Sequence, residues 1–305
     1  MSATAPQTPG PEGTGPPSGR PDDGGPEGPT PLVRLVASDI DGTLLRHPAP
    51  LPEATVVAIR DVLDAGIEFL PVTGRPMRWL DAMVEADLGI RHVVCANGAV
   101  VYDVAAGRVE HASTVPAEDL AEFVAAVRES IPAARLAFET LEGMRMEPGF
   151  RREGEGHSRV PEVDPADGTA LRDVVKVLLR TGDSDSDALL ALVTGVQDRT
   201  AAGRSLHASH SNPSNGLVEL AAAGVTKART LATYCGTRGI GRAQVAAFGD
   251  MPNDLEMLRW AGHGYAMADG HPDAIAAAAH VAPALDEGGV APVLHAFAAA
   301  VRAAR

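Results

Sequence analysis

From Leu32 onward, short apolar runs alternate with stretches whose apolar residues recur at helical spacing. Leu32, Val33, Leu35, Val36 and Ala37 read as a buried strand. Val56, Val57, Ile59, Val62 and Leu63 line one face of a helix over 53–65 that stops at Gly66. Ile67–Val72 is the next strand, 76–88 the next helix, and His92–Val101 a further strand broken by Asn97-Gly98. This rhythm predicts parallel βαβ units with right-handed crossovers, so successive strand ends share one edge of a sheet.

The rhythm then changes. A helix over 117–130 precedes two strand-like runs near 134–140 and 143–147, and a polar, Gly- and Pro-containing stretch covers 148–170. Val174–Leu179 is a strand, 186–199 a helix, and 204–210 and 217–221 two more strands. After Gly224 the parallel pattern resumes: helix 227–235, strand 244–249, helix 252–260, strand 263–268, helix 272–279, a short strand at 280–282 and a last helix from about 290. The fold class is therefore α/β, its core built from 32–108 and 222–305, with an α+β unit over 109–221 inserted between them.

Composition changes this picture only at the start. Residues 1–31 hold nine Pro and seven Gly and almost nothing apolar, so this segment cannot offset its ordering entropy by burial and is expected to be a disordered tail rather than a signal peptide. No run is long and apolar enough for a spanning helix. The net charge of -14 argues against nucleic acid and anionic membranes as partners, while leaving room for a small anionic ligand at a local site. Cys95 and Cys235, far apart and in apolar or helical contexts, support neither a disulfide framework nor a zinc CxxC, which points to a reduced, cytoplasmic setting.

The candidate chemistry sits where strands end. Asp39-Ile40-Asp41-Gly42-Thr43 closes the first strand, and two aspartates facing one pocket would raise one pKa unless a cation held them. Taken alone, this is equally an Asp-rich turn. Thr73-Gly74-Arg75-Pro76 ends the second strand. Thr226 is a candidate N-cap for a helix that begins at Lys227, where a lysine opposes the helix dipole. Gly249-Asp250-Met251-Pro252-Asn253-Asp254 follows the strand at 244–249. Each cluster alone has a capping explanation; four in one sheet do not.

In this order and spacing the four clusters resemble the haloacid dehalogenase superfamily of phosphohydrolases. The insertion between the second and third resembles the larger α+β cap of the Cof-type sugar-phosphatase branch. Asn97-Gly98-Ala99, Val218-Glu219-Leu220, Ala266-Met267-Ala268 and Gly288-Gly289-Val290-Ala291 extend the resemblance to about residues 32–300. Ser38, where many members carry a bulky apolar residue, departs from it without touching the catalytic positions.

The resemblance implies a Rossmann-like core, with Asp39 as nucleophile and Asp41 as general acid and then base. Mg²⁺ would be held by Asp39, the Asp41 main-chain carbonyl and Asp250, with phosphate held by Thr73, the Gly74 amide, Lys227 and Asn253. Asp254 would orient the metal shell or Lys227, and Gly42 and Thr43 would shape the loop. The partner would be a small phosphorylated metabolite, by family expectation a sugar phosphate. Arg151, Arg152, His157 and Arg159 are candidates for its leaving group, against a plain solvated loop. Oligomeric state stays open. So do three alternatives: a phosphomutase, a phosphorylation-switched receiver and a phosphoryl-binding module without turnover.

Two lookalikes fall away. Gly236-Thr237-Arg238-Gly239-Ile240-Gly241 follows a helix and precedes a strand, the reverse of a dinucleotide loop. His207 and His210, three apart on a strand, would face opposite sides and read as surface histidines.

Overall fold

The computed structural model describes residues 32–80, 83, 86–150, 160–165, 171–182 and 185–305. At its centre is a parallel sheet in the order β13-β12-β11-β1-β2. The strands are β1 (Leu35–Ser38), β2 (Glu68–Pro71), β11 (Val245–Gly249), β12 (His263–Met267) and β13 (His280–Ala282). β1 lies between the strands that precede two of the clusters: Ala37 pairs with Ala247 on one side and Leu70 on the other.

Strand alternation sends Leu35, Ala37, Val245 and Ala247 to one face, where they meet Leu231 of α4 (Lys227–Gly236) and Met257 of α5 (Leu255–Trp260). Val36, Ala246 and Phe248 point the other way, into a core with Ile59 and Val62 of α1 (Glu53–Asp64) and Leu294 and Ala298 of α7 (Ala291–Ala303). A short α6 (Pro272–Ala277) links β12 to β13. With helices covering both faces, β1 and β11 are buried along their whole length, while the edge strand β13 leaves His280 and Val281 exposed.

Two expectations need correction here. The run His92–Val101 is not one strand but two antiparallel strands, β3 (His92–Cys95) and β4 (Val100–Asp103). The chain reverses through Ala96, Asn97 and Gly98, with φ of 52°, 56° and 107°. A side chain at Gly98 would sit 2.5 Å from the Thr226 carbonyl oxygen, so only glycine fits that reversal. β5 (Arg108–Ala112), too polar in sequence to announce itself, adds to β4, which places residues 109–112 beside the core rather than in the inserted unit. Of the helix expected over 76–88, the described residues show a 3₁₀ turn at Met77–Trp79.

The inserted unit is a five-stranded antiparallel sheet in the order β7-β6-β8-β10-β9. Its strands are β6 (Arg135–Thr140), β7 (Gly143–Met146), β8 (Val174–Arg180), β9 (Leu206–Ser209) and β10 (Leu217–Ala222). α2 (Ala117–Ser130) and α3 (Ser186–Arg199) cover one face, where Phe123, Val127, Leu189 and Val193 pack on Leu136, Phe138, Val177, Leu179, Val218 and Leu220. The other face is left to the cleft above the core. His210 corrects a further expectation: it is buried, and its Nε2 lies 2.8 Å from Asp187 Oδ1, while His207 is exposed.

Cys95 and Cys235 are free buried thiols, both pushed up to about 12 by burial. Among the described residues no helix is long and apolar enough to cross a membrane.

Candidate active site

All four clusters meet at the carboxyl-terminal edge of the parallel sheet, the place where open α/β sheets bind ligands. Asp39 follows β1, and its backbone N–H donates to Phe248 O of β11 (3.0 Å), which brings it beside the loop that carries Asp250. Gly42 has φ 83°, and a Cβ there would stand 2.1 Å from Asp250 Oδ2, so the two loops touch at a point only glycine permits. Thr43 is buried and donates its hydroxyl to Asp250 Oδ1 (2.8 Å).

Lys227 opens α4, which Thr226 caps by accepting from the Arg229 N–H. Its Nζ lies 2.8 Å from Asp39 Oδ1 and donates to Asp254 Oδ1 at 2.7 Å. Asp254 spends its second oxygen on the backbone N–H groups of Asp250 and Met251, both 3.1 Å away. Asp254 therefore anchors Lys227 and stiffens the loop, and of the acids in this cluster it is Asp39 and Asp250 that keep capacity for a ligand.

The electrostatics are unbalanced. Carboxylate oxygens of Asp39, Asp250 and Asp254 lie within 4.8 Å of one another, and one ammonium answers them. Burial, against the pull of Lys227, raises the Asp39 carboxyl to about 7, with Asp254 adding to the rise. Burial together with Asp39 and Asp254 raises Asp250 to about 8. Burial would lower Lys227, but Asp254 and Asp39 outweigh it and hold the ammonium above its ordinary range. A hard divalent cation with oxygen ligands fits this donor set, because it supplies the charge the cluster lacks.

Asp41 stands apart, half exposed in the cleft. Arg75 grips it with two hydrogen bonds, Nε to Oδ2 (2.7 Å) and Nη2 to Oδ1 (2.6 Å). Arg75 is itself buried, donates to the Trp79 carbonyl (3.2 Å) and touches His47 Nδ1 (3.4 Å). Thr73 is buried, its hydroxyl accepting from the Arg75 N–H (3.1 Å). Asn253 Nδ2 donates to Asn97 Oδ1 (3.2 Å), which ties this cluster to the β3–β4 reversal.

The cleft holds about 1370 Å³ between this edge and the bare face of the inserted sheet. That face carries charges the sequence reading did not assign. Lys176 of β8 donates to Gly74 O (2.6 Å) and Glu219 Oε1 (2.7 Å), and Asn97 Nδ2 donates to Glu219 Oε2 (2.8 Å). Glu139 of β6 accepts from Arg78 (2.6 Å). Burial raises Glu139, and Arg78 works against the rise. One signal was available: Lys176 interrupts an otherwise apolar strand, and Glu219 does the same between Val218 and Leu220. Arg151, Arg152, His157 and Arg159 lie outside the described residues.

The chain is similar to known proteins over most of its length. A family profile for haloacid dehalogenase-like hydrolases matches residues 36–294. The chain is 28% identical over 246 residues to the 5-amino-6-(5-phospho-D-ribitylamino)uracil phosphatase YitU of Bacillus subtilis, covering 77% of this chain and 87% of that one. It is 24% identical to the pyridoxal phosphate phosphatase YbhA of Escherichia coli, over 82% of this chain and 92% of the relative. Among solved structures, the phosphatase BT1666 of Bacteroides thetaiotaomicron superposes with a TM-score of 0.72 at 24% identity, over 87% of this chain and 95% of that one.

Proposed function

Because this chain belongs to the haloacid dehalogenase-like hydrolases, we propose that it is a Mg²⁺-dependent phosphomonoesterase acting on a small phosphorylated metabolite through an aspartyl phosphate on Asp39. The observation that carries this reading is the buried trio Asp39, Asp250 and Lys227 at the sheet edge, with Asp39 and Asp41 lining the cleft. Asp39, the Asp41 main-chain carbonyl and Asp250 would hold the ion, which when bound neutralises phosphate oxygens that would otherwise repel the carboxylates.

Asp39 Oδ attacks phosphorus as the ester P–O bond breaks, and the departing oxygen takes a proton from Asp41. Asp41 then removes a proton from water, whose oxygen attacks phosphorus and releases Asp39 and inorganic phosphate. Lys227 fixes the orientation of Asp39 and supplies a positive charge beside the transferred group. Thr73, the Gly74 amide and Asn253 stand ready to receive the remaining phosphate oxygens. Arg75 holds Asp41 in place by both carboxylate oxygens, so one of those bonds must loosen when Asp41 carries its proton. For the leaving group, the family expectation of a sugar phosphate stands beside relatives named for a ribitylaminouracil phosphate and for pyridoxal phosphate.

The test is Asp41→Asn with an activated aryl phosphate, whose leaving group needs little protonation. Aspartyl phosphate should form at Asp39 and persist, seen by intact mass and by hydroxylamine trapping. Turnover at the wild-type rate with no trapped species would overturn the assignment of Asp41 and the covalent route together. A wild-type chain that keeps its aspartyl phosphate would instead be a phosphorylation-switched receiver.

A further inference from the structure

A chain of hydrogen bonds runs from the inserted sheet into the core, and each bond in it has a fixed direction. It starts at Lys176 of β8, whose ammonium donates to Gly74 O (2.6 Å) and Glu219 Oε1 (2.7 Å). The second Glu219 oxygen accepts from Asn97 Nδ2 (2.8 Å), and Asn97 Oδ1 accepts from Asn253 Nδ2 (3.2 Å). Lys176, Glu219 and Asn97 are all buried. An ammonium has no acceptor, and a carboxylate paired with one has no donor. Glu219 can therefore only accept from Asn97, which turns the Asn97 nitrogen to the inserted sheet and its oxygen to Asn253. That oxygen in turn admits only the nitrogen of Asn253. Turning either amide round would set oxygen against oxygen or N–H against N–H, so a charge pair on the inserted sheet dictates the orientation of an amide two steps away.

The backbone keeps the middle of this chain in place. Asn97 sits at φ 56° in the β3–β4 reversal, and its N–H donates to Thr73 O (3.0 Å). A Cβ at Gly74 would stand 3.0 Å from Asn97 Oδ1, so the amide lies against the loop of Thr73 and Gly74.

Asn253 lines the cleft, yet its Oδ1 is closed off from water and has no hydrogen-bond partner among the described residues. A buried acceptor left unpaired is unfavourable, so the orientation of this amide needs a reason. What it secures is a nitrogen that spends one hydrogen on Asn97 and keeps the other for a ligand.

We propose that Glu219 and Asn97 are positioning residues for the transferred phosphate: the carboxylate on the inserted sheet, acting through Asn97, holds the Asn253 amide with its nitrogen toward the phosphate oxygens. The inference deepens the phosphatase reading above and rests on it for the identity of the ligand. The phosphate site then has its full set of donors only while the inserted sheet stays docked, because the residue that orients the last of them belongs to that sheet.

The experiment inverts the chain without changing its shape. In Glu219→Gln the Lys176 ammonium takes the new amide's oxygen, the NH₂ then faces Asn97, and both asparagines turn, so that Asn253 presents its oxygen to phosphate. Asn97→Gly, which suits the positive φ, merely lets Asn253 rotate. Affinity of the full chain for inorganic phosphate, with Mg²⁺, is read from the phosphate-dependent rise in melting temperature. Glu219→Gln should weaken it at least about tenfold, since a charge-assisted hydrogen bond gives way to facing oxygens, and Asn97→Gly should weaken it less. In the Asn97→Gly background, Glu219→Gln should change it by less than about twofold. With an aryl phosphate, Glu219→Gln should raise KM and leave kcat within about threefold, because those oxygens are held alike before and during transfer. Equal weakening by Glu219→Gln in both backgrounds, a loss of kcat at constant KM, or unchanged phosphate affinity in Asn97→Gly overturns the inference and leaves the phosphatase reading intact. If no ester is hydrolysed, it is the phosphatase reading that fails, and the positioning role stands only if inorganic phosphate binds and the variants rank as stated. A wild-type chain that does not bind inorganic phosphate rejects the positioning role whatever its turnover.

Discussion

The two walls of the cleft bury charge in opposite ways. At the sheet edge, Asp39, Asp250 and Asp254 share one lysine, so the cluster is short of positive charge. On the inserted sheet, Lys176 answers Glu219, and Arg78 from the core side answers Glu139, one for one. Both walls are desolvated, so the difference is in stoichiometry rather than in dielectric. An unbalanced buried cluster is costly unless something arrives to complete it, which is what a site for a cation and a phosphoryl group requires. A balanced cluster is complete as it stands, and its work is to hold two bodies in register. Lys176 does so at a sensitive point, since its donor reaches the carbonyl of Gly74, whose own amide is the one proposed above to hold phosphate.

The contrast is sharpest at Asp39. Asp39→Asn should drop phosphate release below about one per cent of wild type. Yet it removes one of three crowded carboxylates, so the melting temperature without metal should hold or rise. A large fall in melting temperature would mean the edge cluster is as balanced as the cap. Removal of metal is next in size: excess chelator should abolish turnover, and Mg²⁺ but not Ca²⁺ should restore it. In a thermal melt Mg²⁺ should stabilise the wild type, by about 2.7 kcal/mol at a hundredfold excess over its Kd, and Asp250→Asn should lose that gain. Full activity in chelator would break the mechanism.

On the balanced wall the expectation is reversed. Lys176→Met leaves Glu219 buried with only the Asn97 amide, and should cost about 3 kcal/mol in a denaturant melt. Because the Gly74 carbonyl also loses its donor, kcat/KM should fall for every phosphate ester alike; a loss confined to one substrate would make Lys176 a specificity residue instead. The smallest effect belongs to Arg75→Lys. A single ammonium cannot reproduce the two-pronged grip on Asp41, so kcat should fall roughly tenfold with KM little changed. A raised KM at constant kcat would place Arg75 on the substrate rather than on Asp41.

Legibility followed range. The parallel strands, the cap at Thr226 and the turn at Gly42 come from residues within a few positions of one another, and hydrophobic period with turn chemistry reports these. The strand break at Asn97-Gly98 was visible, but its consequence, a reversal into β4, depended on Gly98 meeting Thr226 from a distant part of the chain. β5 was missed because Arg108–Ala112, with mostly polar positions, buries little and is held by its backbone ladder to β4.

The sequence alone determined that this is a parallel α/β core with an α+β insertion, and that acids, a threonine, a glycine and a lysine gather at strand ends. These follow from side-chain period and loop composition, properties of short segments. Only the tertiary structure decided which charges complete one another. Arg75 with Asp41, Arg78 with Glu139, and Lys176 with Glu219 and Gly74 are pairs whose partners lie 34, 61, 43 and 102 residues apart. His210 likewise looked like a surface residue until the fold buried it against Asp187. The physical reason is that the strength of a charge pair depends on distance and desolvation in space, and chain separation says little about either until the core has closed.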